Sequence, residues 1–220
     1  MSRARAALGR LLGRRRAPAT KGDAELAYWR DRQAEEGALS GPHYEWFYTS
    51  HFGLDRSFYA GLRVLDIGCG PRGSLEWADM ASERVGLDPL ADEYRALGID
   101  RHAMSYVAAG AEAIPFPTAH FDVVSALNAL DHVDDLDATI AEITRVTRSG
   151  GALLLVVEVE HDPTPTEPQS LGWDVLDRFG GFTVAWHKRN AMGPQIYSSL
   201  RADEPYREGS GLLSARLTRD

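Results

Sequence analysis

VLDIGCGPRGSLEW, residues 64–77, places Gly68, Gly70 and Gly73 in G-x-G-x-x-G spacing directly behind an apolar run. A tight turn with close backbone approach to a ligand tolerates no Cβ, which is why glycines gather there. Turns of this kind between a strand and a helix cradle adenosine-containing cofactors. The reading predicts a buried strand over RVLDI, the glycine turn, and a helix over SLEWADMA. That helix would offer its free N–H groups to anionic atoms of a ligand.

Downstream the pattern repeats. RVGLD reads as a second strand, with a helix near ADEYRALG; SYVAA is a short third strand and FDVVSAL a fourth. In DDLDATIAEITRVTRSGG, Asp134 or Asp135 caps a helix whose Leu136, Ile140, Ile143 and Val146 share one face, and Gly150–Gly151 end it. ALLLVVEV is a continuous apolar run, as a central parallel strand covered on both faces requires. A Pro-rich loop, a helix in SLGWDVLDRFG and two late β candidates, FTVAWHK and GLLSARL, complete the chain. Strands and helices alternating at this spacing give an α/β, doubly wound, mostly parallel sheet. The last two strands are expected as an antiparallel edge hairpin.

Three zones are expected: a disordered basic tail over 1–22, a helical aromatic-rich cap over 23–60, and the cofactor-binding domain over 61–220. The first 21 residues carry seven Lys/Arg and no acid, so 17 of the chain's 24 basic groups face all 32 acidic ones in the remainder. A body this acidic repels a phosphate backbone, which argues against a nucleic-acid substrate. The arm's apolar stretches, cut by Gly9, Arg10 and Gly13, are too short for a membrane span or a signal-peptide core. The single cysteine excludes a disulfide framework and fits a cytoplasmic compartment. The scattered histidines show no H-E-x-x-H spacing, so no metal site is expected. Asp23 is the expected N-cap of a helix through AELAYWRDRQAEE. The aromatic stretch GPHYEWFYTSHFGL is expected to pack as a cap on the core, with Tyr44 or His43 turned toward a ligand.

Asp66 narrows the choice of cofactor. A carboxylate two residues before the first glycine is repelled by a pyrophosphate but suits a ligand with a cation near the turn, such as S-adenosylmethionine (SAM). Pro71 removes an N–H that a pyrophosphate would use. Asp88, ending the second strand 20 residues after Gly68, is placed to accept hydrogen bonds from both hydroxyls of a ribose.

VLDIGCG, VGLDP, AEAIPFP…FDVV and RVTRSGGALLLV, in this order and spacing, resemble the successive motifs of the class I SAM-dependent methyltransferases, of the small-molecule type 11 kind. The resemblance covers roughly residues 61–160 and implies a Rossmann-like fold binding SAM and releasing S-adenosylhomocysteine. It implies that Asp66 serves the methionine end of SAM, directly or by ordering the loop. Gly68, Cys69 and Gly70 form the turn, Asp88 takes the ribose, and Pro89, Ala111 and Glu112 border the adenine. Asn128 contacts the cofactor through its backbone. Many relatives carry an acid immediately before the Ala-Glu pair, and here that position is Gly110. Arg72 is a candidate partner for the cofactor carboxylate.

The methyl group is expected to face the ends of the fourth and fifth strands. Asp131 and His132 stand at the rim of the fourth, and an imidazole there is a candidate base for a substrate hydroxyl or amine. The loop EVEHDPTPTEPQS after the fifth, stiffened by prolines, supplies His161 as a second candidate base and Glu167 as an acceptor contact. No D-P-P-Y-like stretch and no attack-position cysteine are present, which points to a small-molecule acceptor methylated on O or N. A non-catalytic partner-binding subunit, an RNA methyltransferase and a nicotinamide-dependent oxidoreductase remain the competing readings. Oligomeric state is not readable.

Overall fold

The computed structural model describes residues 20–220; the rest of the expected basic tail, residues 1–19, lies outside them. Seven strands form one sheet: β1 (Arg63–Ile67), β2 (Glu83–Leu87), β3 (Ser105–Val107), β4 (Phe121–Leu127), β5 (Thr147–Val159), β6 (Phe182–Ala191) and β7 (Gly211–Arg219). Their order is β3-β2-β1-β4-β5-β7-β6, with β1 to β5 parallel and β7 antiparallel to both β5 and β6. This is the expected mostly parallel, doubly wound sheet. The late hairpin enters with β7 inside and β6 at the edge, where it is half exposed along its length.

Successive residues of each central strand point to opposite faces, so the sheet has two cores. On one face, Leu65, Val124, Leu153 and Leu155 pack against Ile140 and Ile143 of α4 (Leu136–Val146) and against Val175. On the other, Val64, Val123, Leu154 and Val156 meet Phe47, Tyr48, Phe52 and Tyr59 from the aromatic lead-in. The lead-in is therefore the second layer of the domain. Its aromatics do what a covering helix does in a more regular α/β fold.

Three expected helices differ. SLEWADMA is a series of tight turns, closed by i to i+3 bonds from Glu76 N to Gly73 O, Ala78 N to Leu75 O and Ala81 N to Ala78 O. Leu75, Trp77 and Ala78 must all reach the core beside Tyr48 and Tyr59, and tight turns rather than a regular helix bring them there. ADEYRALG shortens to α3 (Ala91–Tyr94) and a 3-10 turn over Arg95–Leu97, and SLGWDVLDRFG keeps only a 3-10 turn over Val175–Arg178.

Boundaries shift too. α1 (Lys21–Glu36) is capped by Thr20, with Asp23 in the third position of a capping box, so the helix begins inside the segment expected as tail. Asp135 caps α4 by accepting from Ala138 N. α4 ends at Val146, and the Gly150–Gly151 pair lies inside β5, where Gly150 takes φ +70° at a bulge in the β4–β5 register. Two short helices complete the aromatic face: α2 (Glu45–Tyr48), within the expected helical cap, and α5 (Ile196–Ala202), which the sequence reading did not include.

Candidate active site

The carboxyl ends of β1, β2 and β4 open on a cavity of about 730 Å³, the size of a small-molecule site. Its floor is the glycine turn, and its roof is the inner face of α1, whose Lys21, Glu25, Tyr28 and Trp29 line it. α1 buries no residue fully, so it rests on the cavity rather than in the core. Trp29 approaches Gly70 so closely that a Cβ there would stand 3.0 Å from its ring. Gln33 donates to Leu97 O at 2.8 Å, and Lys21 donates to His132 O.

Asp66 does not line the cavity. It is buried beneath the turn, where Tyr48 Oη (2.8 Å) and Ser74 Oγ (2.5 Å) donate to Oδ2 and Ser125 Oγ (2.7 Å) donates to Oδ1. Burial pushes its pKa up to about 6, against the pull of these three donors. The carboxylate is thus spent on joining the lead-in, the turn and β4. Of its two expected roles, the geometry matches ordering the loop.

Asp88 differs. Its oxygens accept Gly70 N (3.1 Å) and Leu90 N (2.9 Å), and its carboxyl faces the cavity with its pKa raised by burial to about 6. Three of the turn's own N–H groups are committed at its glycines: Gly68 N donates to Leu87 O, Gly70 N to Asp88, and Gly73 N to Tyr106 Oη. Tyr106 Oη bonds His102 Nδ1 (2.7 Å), and His102 Nε2 bonds Leu39 O (3.1 Å). Because a carbonyl only accepts, Nε2 carries the proton and Nδ1 takes the tyrosine's. This relay, unseen in the sequence reading, ties the turn to β3 and the lead-in. No helix follows the turn, and Gly68, Gly70 and Gly73 N–H are already bonded, which leaves fewer donors for an anion than a dinucleotide pyrophosphate uses.

Cys69, Pro89, Ala111, Glu112 and Asn128 also line the cavity. Cys69 is buried and its thiol is pushed well above its usual range by burial; a Cβ on Gly86 would stand 2.5 Å from its sulfur, so its role is packing. Asn128 takes a left-handed φ of +58° and donates its N–H to Val156 O. Glu112 Oε1 accepts Asp134 N at 2.9 Å, while Oε2 stands 2.6 Å from where a Gly110 Cβ would be. Glu112 thus fills the space that an acid at position 110 would need.

Two expected residues lie elsewhere. Arg72 points away from the cavity, held in a two-pronged pair by Glu36 (2.7 and 2.5 Å) and set 5.5 Å from the Trp29 ring. His43 is exposed and stacks on Tyr44, which is buried, lines the cavity and has its hydroxyl pKa pushed up to about 12 by burial. Tyr44 meets Tyr197 of α5 at 5.4 Å.

At the rim, His132 Nε2 stands 4.0 Å from Asp131 Oδ1 and 3.9 Å from Glu167 Oε1. Gln169 holds the Pro-rich loop in place, bonding Val133 O, Asp134 O and, through its N–H, Asp131 O. Asp131 is buried behind the lining, and burial raises its pKa. His161 also lies off the cavity; its Nδ1 bonds Asp162 O at 3.0 Å.

A Rossmann-like sheet closed by an antiparallel strand pair, with a small-molecule cavity at its strand ends, is the fold shared with SAM-dependent methyltransferase structures. Residues 65–155 of the chain match the family model described as "Methyltransferase domain". The chain is 35% identical over 160 residues to a malonyl-[acyl-carrier protein] O-methyltransferase of Enterobacter lignolyticus, covering 67% of this chain and 61% of that protein. An uncharacterized methyltransferase of Mycolicibacterium gilvum is 34% identical, with 72% and 65% covered. The chain thus spans about three-fifths of the length of these curated relatives. A SAM-dependent methyltransferase structure from Mesorhizobium loti superposes with a TM-score of 0.58 at 18% identity, over 73% of this chain and 92% of that one. No helix among the described residues is long and apolar enough to cross a membrane.

Proposed function

We propose that the protein binds SAM in this cavity and transfers its methyl group to an oxygen or nitrogen of a small-molecule acceptor. One observation carries the reading: among the described residues, Asp88, Glu25, Glu112, Asp134 and Glu167 line the cavity against one Lys or Arg, Lys21, an acidic lining that suits a sulfonium and an ammonium and repels a pyrophosphate.

The residues fit the ligand. Asp88, just past the end of β2, is held by two backbone N–H groups, one on each oxygen, which leaves lone pairs for the ribose hydroxyls. Glu112 Oε2 is placed to accept from the adenine amino group in place of the acid absent at position 110. Trp29 and the rest of α1 exclude water from above. When bound, SAM supplies an electrophilic methyl on a sulfonium; the chain's contribution is to orient the acceptor and take its proton. His132, on the cavity wall, is the group placed to receive that proton, and Tyr44 and Glu167 bound the acceptor's space. Positioning and water exclusion supply much of such an acceleration.

Calorimetric titration of the purified protein with SAM, S-adenosylhomocysteine and NAD tests this. Micromolar binding of the first two without NAD is expected. Binding of NAD alone, or of none in a folded, ligand-free sample, overturns it.

A further inference from the structure

Asp131, His132 and Glu167 each direct one ligand atom to a common point at the cavity rim, all within 4.8 Å of one another. The two pairs involving the imidazole, at 4.0 and 3.9 Å, are too long for hydrogen bonds. They are close to the spacing of atoms that share an ion. Nitrogen and oxygen ligands bind a first-row divalent metal at about 2.0–2.2 Å, so two of them are about 3.4 Å apart in a tetrahedron and about 4.2 Å when opposite.

A second observation points to a missing occupant. Asp131 is 1% exposed, and its Oδ1, the atom facing His132, has no hydrogen-bond partner. A buried carboxylate oxygen without a donor is costly. The Asp131 carboxylate also lies within electrostatic reach of His161, whose buried Nε2 likewise has no partner. A buried carboxylate oxygen with nothing to accept from, on the side of the imidazole, marks a place where a cation belongs.

We propose that Asp131 Oδ1, His132 Nε2 and Glu167 Oε1 bind a divalent first-row transition metal at the acceptor end of the cavity. One imidazole and two carboxylates suit zinc, manganese, iron or cobalt, whereas magnesium and calcium favour all-oxygen sites. His132 and Glu167 line the cavity, so the ion's open positions face it. There it would hold an acceptor hydroxyl and lower that hydroxyl's pKa, its proton leaving to water. This selects oxygen acceptors, and His132 then acts as a ligand instead of a base. The role toward the acceptor rests on the methyl-transfer reading; the metal site does not.

The sequence-based expectation of no metal site looked for ligands spaced along a helix. These three come from the end of β4 and from a loop 35 residues later, which Gln169 straps against it.

The test uses the full, tag-free chain after treatment with chelator. Co²⁺, Mn²⁺, Zn²⁺ and Mg²⁺ are titrated singly, with and without SAM, following the visible d–d absorption for Co²⁺ and heat for the others. One equivalent of Co²⁺ is expected, with Mg²⁺ far weaker. Glu167→Gln and His132→Gln should each weaken Co²⁺ binding at least about tenfold. Both positions are only half-buried, and a melting curve checks that each variant folds. Absence of Co²⁺, Mn²⁺ and Zn²⁺ binding by the wild type overturns the proposal, as does binding that survives both substitutions. Metal binding without SAM binding would overturn the methyl-transfer reading alone.

Discussion

Two buried aspartates at adjacent strand ends have different work, and their partners show it. Asp66 has three hydroxyl donors and no face on the cavity; Asp88 has two backbone donors and a face on it. Asp88→Ala should therefore weaken SAM binding by about 1.5–3 kcal/mol, the range for hydrogen bonds to a charged group, measured by calorimetry on the folded variant. The pH dependence has opposite signs for fold and ligand. Both carboxyls are raised by burial from 3.8 to about 6, so between those values the free native state holds more protons than the unfolded chain. Their contribution to stability is full below about pH 4 and lost as pH rises through about 6. SAM affinity runs the other way, because only the ionised Asp88 accepts from both ribose hydroxyls; it should fall as pH is lowered through about 6. An affinity flat from pH 8 to 5 would remove Asp88 from the ribose. The relay from Gly73 N–H through Tyr106 to His102 makes a second residue-level prediction. Tyr106→Phe leaves an amide of the turn unpartnered, which costs about 1–3 kcal/mol, read as a lower denaturation midpoint.

At the scale of the element, strands were legible and several helices were not. RVLDI and FDVVSAL coincide with β1 and β4 residue for residue, because a short apolar run between turn signals has few alternatives. SLEWADMA misled: it follows the glycine turn where a helix is expected, but a helix would set Leu75 and Trp77 on opposite sides, whereas turns bring Leu75, Trp77 and Ala78 to one core. α1 was legible as a helix and not as a roof, since its cavity face mixes Lys21, Glu25 and Trp29 and carries no apolar stripe. That weak attachment predicts a ligand-dependent element. Hydrogen exchange should show α1 amides opening readily in the free protein and gaining protection with SAM, along with the loop around Glu167. The amides of β6, on the far edge of the sheet, should not respond. Unchanged exchange in α1 at saturating SAM would mean the helix does not cover the ligand.

Across the whole molecule, the glycine turn, Asp88 and the order of motifs were enough to place a cavity at the strand ends, while the rim had to be seen folded. Arg72 sits within the turn yet pairs with Glu36, and Glu167 reaches His132 only because the Pro-rich loop returns over β4. Such contacts depend on where loops close, which no local pattern encodes. The cavity in turn joins parts far apart in the chain: α1, the turn, β4 and the loop after β5 each contribute lining. A ligand that bridges them stabilises the native state as a unit. A ligand binding only the folded form at 100 times its Kd adds about 2.7 kcal/mol of stability. In a domain of 150–250 residues each kcal/mol moves Tm by about 2–4 °C. SAM or S-adenosylhomocysteine at that excess should therefore raise Tm by about 5–11 °C, in one cooperative transition. NAD at the same concentration should raise it by none, because the turn's glycine N–H groups are already bonded and the lining is acidic. An equal shift with NAD would mean that the adenosine half alone is recognised and that the acidic lining does not select the tail.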